Sequence, residues 1–302
     1  MKYTKVKDVK EIKKDKRKNK TIVKEMGNII TVRYMSKQNK QTIQLLPGKE
    51  QYIRISDGTV HDITHSETRK DNIKSVRATV AKLREIINTN CVDAKKVKWL
   101  TLTYADNMTD QHQLARDFKK FIRKFRHDYP EVEYIAVAEP QARGAWHMHV
   151  IIIFPHAAPY IPNDTIWHDY WEDKGFTKTK AVDKNCDNLG AYFSVYLTDL
   201  KLEDMPEDAE VDKPELVERI IDGEKKSVVK GGRLHMYPVG FNFYRCSRGI
   251  KRPEQKRMSL QQADELTKNY NEVYSNAYIL EDEKTGYNFV VYDREFNKIR
   301  PK

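Results

Sequence analysis

The middle of the chain switches between strand-like and helix-like spacing of hydrophobic residues. Residues 97–104 alternate apolar and polar positions, which is typical of a half-buried strand, whereas residues 113–127 repeat apolar positions every three or four residues, as one face of a helix does. In chain order, the predicted elements are a strand at 97–104, a helix at 113–127, strands at 133–139 and 146–154, a short helix at 166–171, a strand at 176–182 and a helix at 188–200. This order predicts an α+β fold with a split β-α-β, ferredoxin-like core, in which a central antiparallel sheet carries helices on one face.

Composition changes outside this core and suggests further regions. The first residues are dominated by lysine and have too few apolar positions to fold alone. Short β-prone runs separated by turn residues, and then an amphipathic helix, precede the core. The predicted regions are a disordered basic arm at 1–24, an N-terminal accessory sheet and helix at 25–94, the core at 95–203, and a C-terminal α/β extension at 204–302, with an acidic excursion at 203–224 and a hairpin turn at 283–286.

Charge narrows the class of partner. The chain has 302 residues and a net charge of +11, so a polyanion is a more natural partner than an acidic surface or a neutral metabolite. Its three cysteines are far apart and odd in number, which predicts neither a disulfide framework nor a thiolate metal site. No apolar run approaches the roughly 18 residues of a membrane span. We expect a cytoplasmic protein that does not bind membranes.

Two histidines stand on either side of one apolar residue at the start of a hydrophobic strand. Because side chains alternate along a strand, His147 and His149 point the same way while Met148 points to the opposite face. Two imidazoles side by side make half of a metal site. The alternative is a solvated face of a half-exposed strand.

The turn before these histidines decides whether a carboxylate joins them. If residues 142–144 form a three-residue loop with Gly144 in the left-handed conformation, Glu139 lies opposite His147 and shares its face. A two-residue loop would instead pair Glu139 with Trp146 and turn it to the other face. Two imidazoles and one carboxylate with open positions suit Mn²⁺ or Mg²⁺ better than a closed structural zinc site.

The predicted helix at 188–200 carries a second chemical feature. Tyr192 and Tyr196 are four residues apart and therefore lie on one face of the helix. A phenol is protonated near neutral pH and is a poor nucleophile, but a metal that polarises a phosphodiester makes attack by a nearby tyrosine feasible. The alternative is a tyrosine pair that only packs.

In order, the Thr101-Leu102-Thr103-Tyr104 strand, Glu139 with the His147-Met148-His149 strand, and the helix with Tyr192 and Tyr196 resemble the three motifs of the HUH endonucleases. The chain is most similar to the replication initiators of rolling-circle plasmids and single-stranded DNA phages, including the two-tyrosine type. The motif-bearing part covers residues 97–201. Residues 233–253 are also similar to a region that follows the nuclease core in bacterial members.

The resemblance implies an enzyme that nicks and rejoins single-stranded DNA at a replication origin. His147, His149 and Glu139 would hold the divalent metal, Mn²⁺ or Mg²⁺, at the scissile phosphate. Tyr196 is the first candidate for the nucleophile and Tyr192 the second, giving a 5′-phosphotyrosyl enzyme and a 3′-hydroxyl that primes a polymerase. The chain has no P-loop, so a helicase would be a separate host protein, as the polymerase would be.

One departure from the family pattern concerns a lysine. Family members often carry a lysine three residues after each tyrosine, whereas this chain has Val195 and Asp199 there. Lys201 is therefore a candidate for the missing catalytic cation, and Asp199 is an alternative partner for the metal or a water molecule.

Aromatic and basic residues interleave after the core, a combination that stacks bases and neutralises phosphates of single strands. The alternative is a buried strand followed by a basic turn. The predicted DNA contacts are Tyr104, Arg143, Tyr244, Arg245, Arg248, Lys251 and Arg252, and Tyr237, Phe241 and Phe243 belong to the same aromatic pattern.

Other functions remain open on the sequence. A conjugative relaxase or a transposase of the same superfamily would use the same chemistry, although relaxases often carry a third histidine that is not seen near this pair, and small transposases are usually much shorter. A DNA-binding protein without catalysis is an alternative from another class.

Overall fold

The computed structural model describes residues 2–6, 9, 12, 20–37, 43–48, 50–64, 73–183, 188–201, 216–221, 224–229, 231–238, 240–282 and 287–299. The chain forms two compact units, one made of Met1–Glu67 with Glu254–Lys302 and the other of Thr68–Pro253. Among the described residues, no helix is both long enough and apolar enough to cross a membrane.

The elements follow the chain from end to end. The strands are β1 (Lys2–Lys5), β2 (Thr21–Met26), β3 (Ile29–Met35), β4 (Ile43–Leu45), β5 (Gln51–Arg54), β6 (Val60–Asp62), β7 (Val97–Leu102), β8 (Glu133–Pro140), β9 (Trp146–Ile153), β10 (Thr177–Ala181), β11 (Leu200–Lys201), β12 (Leu216–Ile221), β13 (Glu224–Val229), β14 (Tyr244–Cys246), β15 (Glu254–Met258), β16 (Asn271–Asp282) and β17 (Tyr287–Asn297). The longer helices are α1 (Ile73–Asn90), α2 (Gln111–Asp128), α3 (Leu189–Thr198) and α4 (Leu260–Thr267). A short helical segment, Asn163–Thr165 continued by the π-helical Ile166–Tyr170, precedes β10.

The first unit is built on a six-stranded antiparallel sheet with the order β1-β16-β17-β3-β2-β15. Helix α4 packs on it through Leu260 and Ala263, which are buried with Val23, Ile30 and other apolar residues of the sheet. Ser259 caps this helix in a capping box with Gln262, which explains why the helix begins at that point. A separate three-stranded sheet is formed by β4, β5 and β6.

The second unit is built on a five-stranded sheet with the order β10-β7-β9-β8-β14, in which every neighbouring pair is antiparallel. Its strands and helices follow the predicted order of strand, helix, two strands, short helix, strand and helix. The predicted α+β class with a central antiparallel sheet is therefore confirmed. A smaller sheet of β11, β13 and β12 also belongs to this unit.

The two faces of the five-stranded sheet are covered by different helices. Register pairs Glu139 with His147 and Thr101 with His149, so these four side chains share one face, here called the histidine face. Helix α3 packs on this face, since Phe193 contacts Trp99 and His149. The opposite face, which includes Tyr134, is covered by α2 through Phe118.

The helices between the core strands share one face, as predicted. Phe121 of α2 contacts Tyr170 of the π-helical segment and the adjacent Trp171, so both helical pieces lie against the opposite face. The buried positions of α2, Leu114, Phe118, Phe121, Ile122 and Phe125, are those that its three- and four-residue spacing predicts. Only α3, the helix that follows the last core strand, lies on the histidine face.

The division into units differs from the predicted regions. The first and last parts of the chain share one sheet, because β2 and β3 pair with β15 and β17. Such pairing between strands distant in sequence leaves no trace in composition, which is why the boundaries drawn from composition do not coincide with it. Residues Lys2–Lys5, predicted to lie in a disordered arm, form β1 and pair with β16. The predicted turn at 283–286 and most of the acidic excursion at 203–224 lie outside the described residues.

Candidate active site

The hairpin between β8 and β9 sets the position of Glu139. The Gln141 amide donates to the Ala145 carbonyl at 2.8 Å, and the Gly144 amide donates to the Gln141 carbonyl at 2.8 Å. Residues 142–144 therefore form a three-residue loop, and Gly144 has a φ of 87°, in the left-handed region that favours glycine. The resulting register pairs Glu139 with His147, so this predicted alignment is confirmed.

His149 is buried, and both of its ring nitrogens have partners. Nε2 contacts Oε2 of Glu139, while Nδ1 lies 3.2 Å from Oγ1 of Thr101 on the neighbouring strand. The ring also meets Trp99 edge-on, with 6.1 Å between ring centroids. Hydrogen bonds of this kind on both ring nitrogens fix the orientation of an imidazole.

A buried arginine completes the surroundings of Glu139. Nη2 of Arg233 lies 2.7 Å from Oε1 of Glu139, and Nη1 donates to the Pro140 carbonyl at 2.6 Å. Nε donates to the Asp199 carbonyl at 2.8 Å. One guanidinium thus joins the end of β8, the carboxylate and the residue that directly follows α3. We call this set of three contacts the Arg233 clamp.

Charge and burial set the protonation states of the site. Burial raises the pKa of Glu139, but the charges of Arg233 and His149 outweigh burial and hold that pKa below its ordinary value. Burial lowers the pKa of His147 to about 4, against the opposing effect of Glu139. At neutral pH the site therefore presents a carboxylate and a neutral His147 imidazole, the forms that bind metal ions.

The tyrosine helix is held against α1 by a close backbone approach. A Cβ at Gly190 would lie 2.6 Å from the Arg84 carbonyl oxygen, so a side chain at this position would push α3 away from α1. The Gly190 amide donates to Oδ1 of Asn88 at 2.9 Å, and the Asn188 side chain accepts from the Ala191 amide in the first turn of α3. The position of α3 on the sheet is therefore fixed at its N-terminal end.

Helix α3 runs from Trp99 toward the Arg233 clamp. The Tyr192 ring meets Trp99 edge-on with 5.5 Å between centroids, while Asp199, just past the end of the helix, is bonded to Arg233. Tyr196 lies within α3, one turn nearer to the clamp than Tyr192, and its side chain is outside the described set. The helix thus leads from the histidine strand toward Glu139.

Asp199 and Lys201 occupy different surroundings from those predicted. The Asp199 carboxylate is buried and accepts from the Gly231 amide at 3.2 Å, which ties it to the turn that carries Arg233. Lys201 is the second residue of β11, where it pairs with Val228, and its side chain is outside the described set. The role predicted for Lys201 stays a prediction.

Two of the predicted DNA contacts lie near the histidines. Arg143 is exposed at the tip of the β8–β9 hairpin, and its charge contributes to lowering the pKa of His147. Tyr244 is half-buried on β14, where it pairs with Val137, the partner of His149, and so lies on the histidine face. Arg245, next to it in β14, points to the opposite face and is also half-buried.

The basic turn after β14 lies at the far end of the sheet. Arg248, Lys251 and Arg252 are exposed, and the Lys251 backbone is bonded in both directions to the side chain of Asn90. This turn sits beside Glu133, whose carboxylate lies against Gly249. Since Glu133 and Glu139 are at opposite ends of β8, the turn is about 20 Å from the site along the strand.

The remaining aromatic residues of the predicted DNA surface are in the core. Tyr104 is buried, and its hydroxyl donates to Asp117 at 2.9 Å, which together with burial raises its pKa. Trp146 stacks on Phe241 at 4.7 Å between centroids, in a cluster that also contains Tyr237 and Phe243. The predicted stacking of bases on Tyr104, Tyr237, Phe241 and Phe243 needs correction, since apolar packing removes their rings from solvent; the alternative of a buried segment followed by a basic turn describes this region.

The donor set fits a divalent metal by chemistry and by face. His147, His149 and Glu139 lie on one face and supply two imidazoles and a carboxylate. Within the part of the chain that the structure describes, no three acidic, histidine or cysteine side chains are already arranged as a metal cluster. The contact between His149 and Glu139 accounts for this, because the facing ring nitrogen and carboxylate oxygen must exchange each other for the ion.

Comparison with known proteins finds one family over this part of the chain. Residues 97–201, here called the family-matching segment, match a family of replication-associated proteins, the ORF2 type. The match supports a replication initiator of the Rep type. The family-matching segment begins with the first residue of β7 and ends with the last residue of β11, so it contains both histidines, Glu139 and α3.

No curated protein and no solved structure matches the chain. The family-matching segment stops before Arg233 and before β14, which adds the fifth strand to the sheet. Arg233 is the site residue that reasoning from sequence did not assign. Its only signal is a lone arginine between Gly231-Gly232 and an apolar run, and nothing in that pattern indicates a partner in β8.

Proposed function

We propose that the protein is a rolling-circle replication initiator that nicks and rejoins single-stranded origin DNA through a covalent tyrosyl intermediate. The observation that carries the proposal is the packing of the tyrosine helix α3 on the histidine face, within the segment that matches a replication-associated family. The strand order of the core, with β7 and β9 central and β10 and β8 outside them, supports the split β-α-β arrangement expected for such an enzyme.

The residues of the site divide into those that hold the phosphate and those that attack it. His147, His149 and Glu139 would hold Mn²⁺ or Mg²⁺, which when bound polarises the scissile phosphate and offsets its developing charge. Arg143 at the hairpin tip is exposed and supplies a cation for the DNA backbone. Burial of Glu139 and His149 restricts access of water to that side of the site.

A tyrosine on α3 carries out the covalent step. Its phenol oxygen forms a bond to phosphorus while the bond from phosphorus to the 3′ oxygen breaks. The phenol proton is released and the departing 3′ oxygen gains a proton, so that the enzyme holds the 5′-phosphate as a tyrosyl ester. Rejoining runs the same exchange in reverse, with a 3′-hydroxyl attacking the ester. Bond energy is conserved, because one phosphodiester replaces another.

The direction of α3 supports Tyr196 as the first nucleophile. Tyr192 is half-buried against Trp99, whereas the C-terminal end of the helix leads to Asp199 and the Arg233 clamp beside Glu139. Tyr196 stands one turn closer to that end. Both tyrosines are on the same side of the helix, so the second can act on a later strand.

The test is formation of a covalent adduct. The full-length protein is incubated with Mn²⁺ and labelled single-stranded oligonucleotides that tile the gene encoding the chain and its flanks, and adducts that survive denaturation are identified by mass spectrometry of the attached peptide. We expect an adduct on one oligonucleotide, abolished in Tyr196→Phe and retained in Tyr160→Phe, an exposed tyrosine outside α3. An adduct lost only in Tyr192→Phe reverses the order of the tyrosines. If bound oligonucleotides give no adduct with any tile, the nicking proposal is wrong.

A further inference from the structure

The edge strand of the core sheet presents an exposed aromatic ring on the same face as the candidate site. Phe176, just before β10, is 64% exposed. The Thr103 amide donates to the Phe176 carbonyl at 3.1 Å, and the next residue, Thr177, pairs with Leu102. Thr177 is buried toward the opposite face, where it bonds to Asn163, so Phe176 projects from the histidine face.

The backbone around Phe176 is fixed. The Thr103 hydroxyl also donates to the Phe176 carbonyl, at 2.7 Å. A Cβ at Gly175 would lie 2.5 Å from the Ala105 nitrogen, so this glycine allows the two backbones to approach more closely than any other residue would. The ring is therefore carried on a rigid support although it packs on little itself. An aromatic side chain held in place before binding loses less conformational freedom when a partner stacks on it.

A lysine stands beside the ring. Lys178 is exposed and lies two residues along β10, so it shares the face of Phe176 and pairs with Thr101, the neighbour of His149. Among the described residues, no carboxylate forms an ion pair with it. Aromatic faces that stack bases and cations that follow the phosphates are the two components of single-stranded nucleic acid sites.

The distance from this pair to the histidines fits a neighbouring nucleotide. Phe176 lies opposite Thr103, which continues β7 in the row that contains His147, so two strand spacings, or about 10 Å, separate Phe176 from His147. Thr101, Thr103 and His147, which lie between, are all half-exposed rather than covered by α3. An open path across the sheet therefore joins the ring to the site.

We propose that Phe176 and Lys178 form a subsite for a nucleotide next to the scissile phosphate, in which the base stacks on Phe176 and its phosphate pairs with Lys178. The inference rests on the proposed nicking of single-stranded DNA, since it identifies how the same site grips its substrate. The ligand class is a single-stranded DNA segment, recognised through base stacking and charge rather than through a particular base edge.

The test separates stacking from charge. Binding of the adduct-forming oligonucleotide, or of a mixed-sequence single strand if none forms an adduct, is measured by fluorescence anisotropy in the Tyr192→Phe/Tyr196→Phe background, which cannot cut. Phe176→Ala should weaken binding roughly 5- to 150-fold, the range for loss of one base stack. Phe176→Trp should keep the affinity, and Phe176→Leu should not. Lys178→Ala should lower the slope of log affinity against log salt by about 0.7, the value for one phosphate on a single strand.

The matched control is Tyr160→Ala. Tyr160 is 85% exposed and lies beyond the other end of β9, so its removal tests whether any exposed aromatic matters. Equal affinity of Phe176→Ala and Tyr160→Ala, with unchanged thermal stability of both, overturns the subsite even if the wild-type protein forms an adduct. Weakened binding in Phe176→Ala without any adduct from the wild-type protein keeps the subsite and removes the nicking proposal. Failure of the background protein to bind single strands overturns the subsite.

Discussion

Arg233 and Glu139 form a buried ion pair, with 2.7 Å between Nη2 and Oε1, although they lie far apart in the sequence. Arg233 is 6% exposed and Glu139 5%. Because Arg233 also bonds to the backbone of Pro140 and Asp199, the pair fixes both the carboxylate and the end of the tyrosine helix. The region after the family-matching segment thus contributes to the candidate site.

Removing Arg233 should strongly destabilise the second unit. In Arg233→Ala the Glu139 carboxylate loses its cation while it stays buried, and loss of one partner of a buried pair costs about 3–5 kcal/mol of unfolding free energy. Arg233→Lys keeps the charge, but a single ammonium group cannot reproduce three separate contacts, so we expect an intermediate loss. Urea unfolding monitored by tryptophan fluorescence measures both.

A double-mutant cycle shows whether the loss belongs to the pair. Glu139→Gln combined with Arg233→Ala should cost less than the sum of the single variants, because the second change no longer leaves a buried charge alone. Arg248→Ala, an exposed arginine in the same unit, should stay within about 0.5 kcal/mol of the wild type. Additive losses in the cycle would mean that the two residues stabilise the fold independently.

A second prediction concerns Tyr104, which the structure places in the core rather than on a DNA surface. Tyr104→Phe removes the only described donor to Asp117 from this ring and leaves a buried carboxylate short of a hydrogen bond. We expect a loss of about 1–3 kcal/mol in unfolding free energy with no change in affinity for single-stranded DNA. Tyr160→Phe is the exposed control. Unchanged stability together with weaker DNA binding would return Tyr104 to the DNA surface.

The alternation of β7 already contained the information about Tyr104. Leu100, Leu102 and Tyr104 occupy every second position, so a strand that continues to residue 104 directs Tyr104 to the same face as the two buried leucines. Its identity as a tyrosine suggested chemistry, whereas its position predicted burial. Position within the pattern was the better guide for this residue.

The register of Glu139 could be predicted because it depends on local rules. A glycine in the third position of a short loop selects a three-residue hairpin, and that loop alone sets which residues face each other. The contact of Arg233 with Glu139 could not be predicted in this way. It depends on how the chain returns after β13, and no periodicity relates residues in a turn to a strand so far away.

Acid should selectively weaken a three-lysine cluster on the opposite side of the sheet. Glu172 accepts from Lys120 and Lys174 at 2.8 Å each and pairs with Lys124 at 2.6 Å, and these contacts hold its pKa well below the ordinary value. Because the folded-state pKa is lowered, the unfolded state binds the proton more readily. The stabilisation is therefore complete above the unfolded pKa of about 4.3 and is lost as pH falls below it.

Glu172→Gln measures this contribution. At pH 7 the substitution should cost about 1 kcal/mol, since the pairs are partly exposed, and the difference from wild type should shrink as the pH falls below about 4. Urea unfolding at both pH values is the measurement, and Glu131→Gln, an exposed glutamate in the same unit, is the control. A difference that stays constant across this range would show that the charge of Glu172 is not the source of its effect.

The basic turn should contribute affinity for DNA without affecting the chemical step. Arg248 and Arg252 are exposed but lie about 20 Å from Glu139 along β8, too far to touch a phosphate held at the histidines. Arg248→Ala/Arg252→Ala should lower the salt slope of single-strand binding by about 1.4, the value for two phosphates. The rate of adduct formation at saturating DNA should stay at the wild-type value. Lys119→Ala/Arg123→Ala, which removes two exposed charges from α2, separates a specific contact from net charge: an equal change of slope in both double variants would mean that the turn acts only through the overall field of the protein.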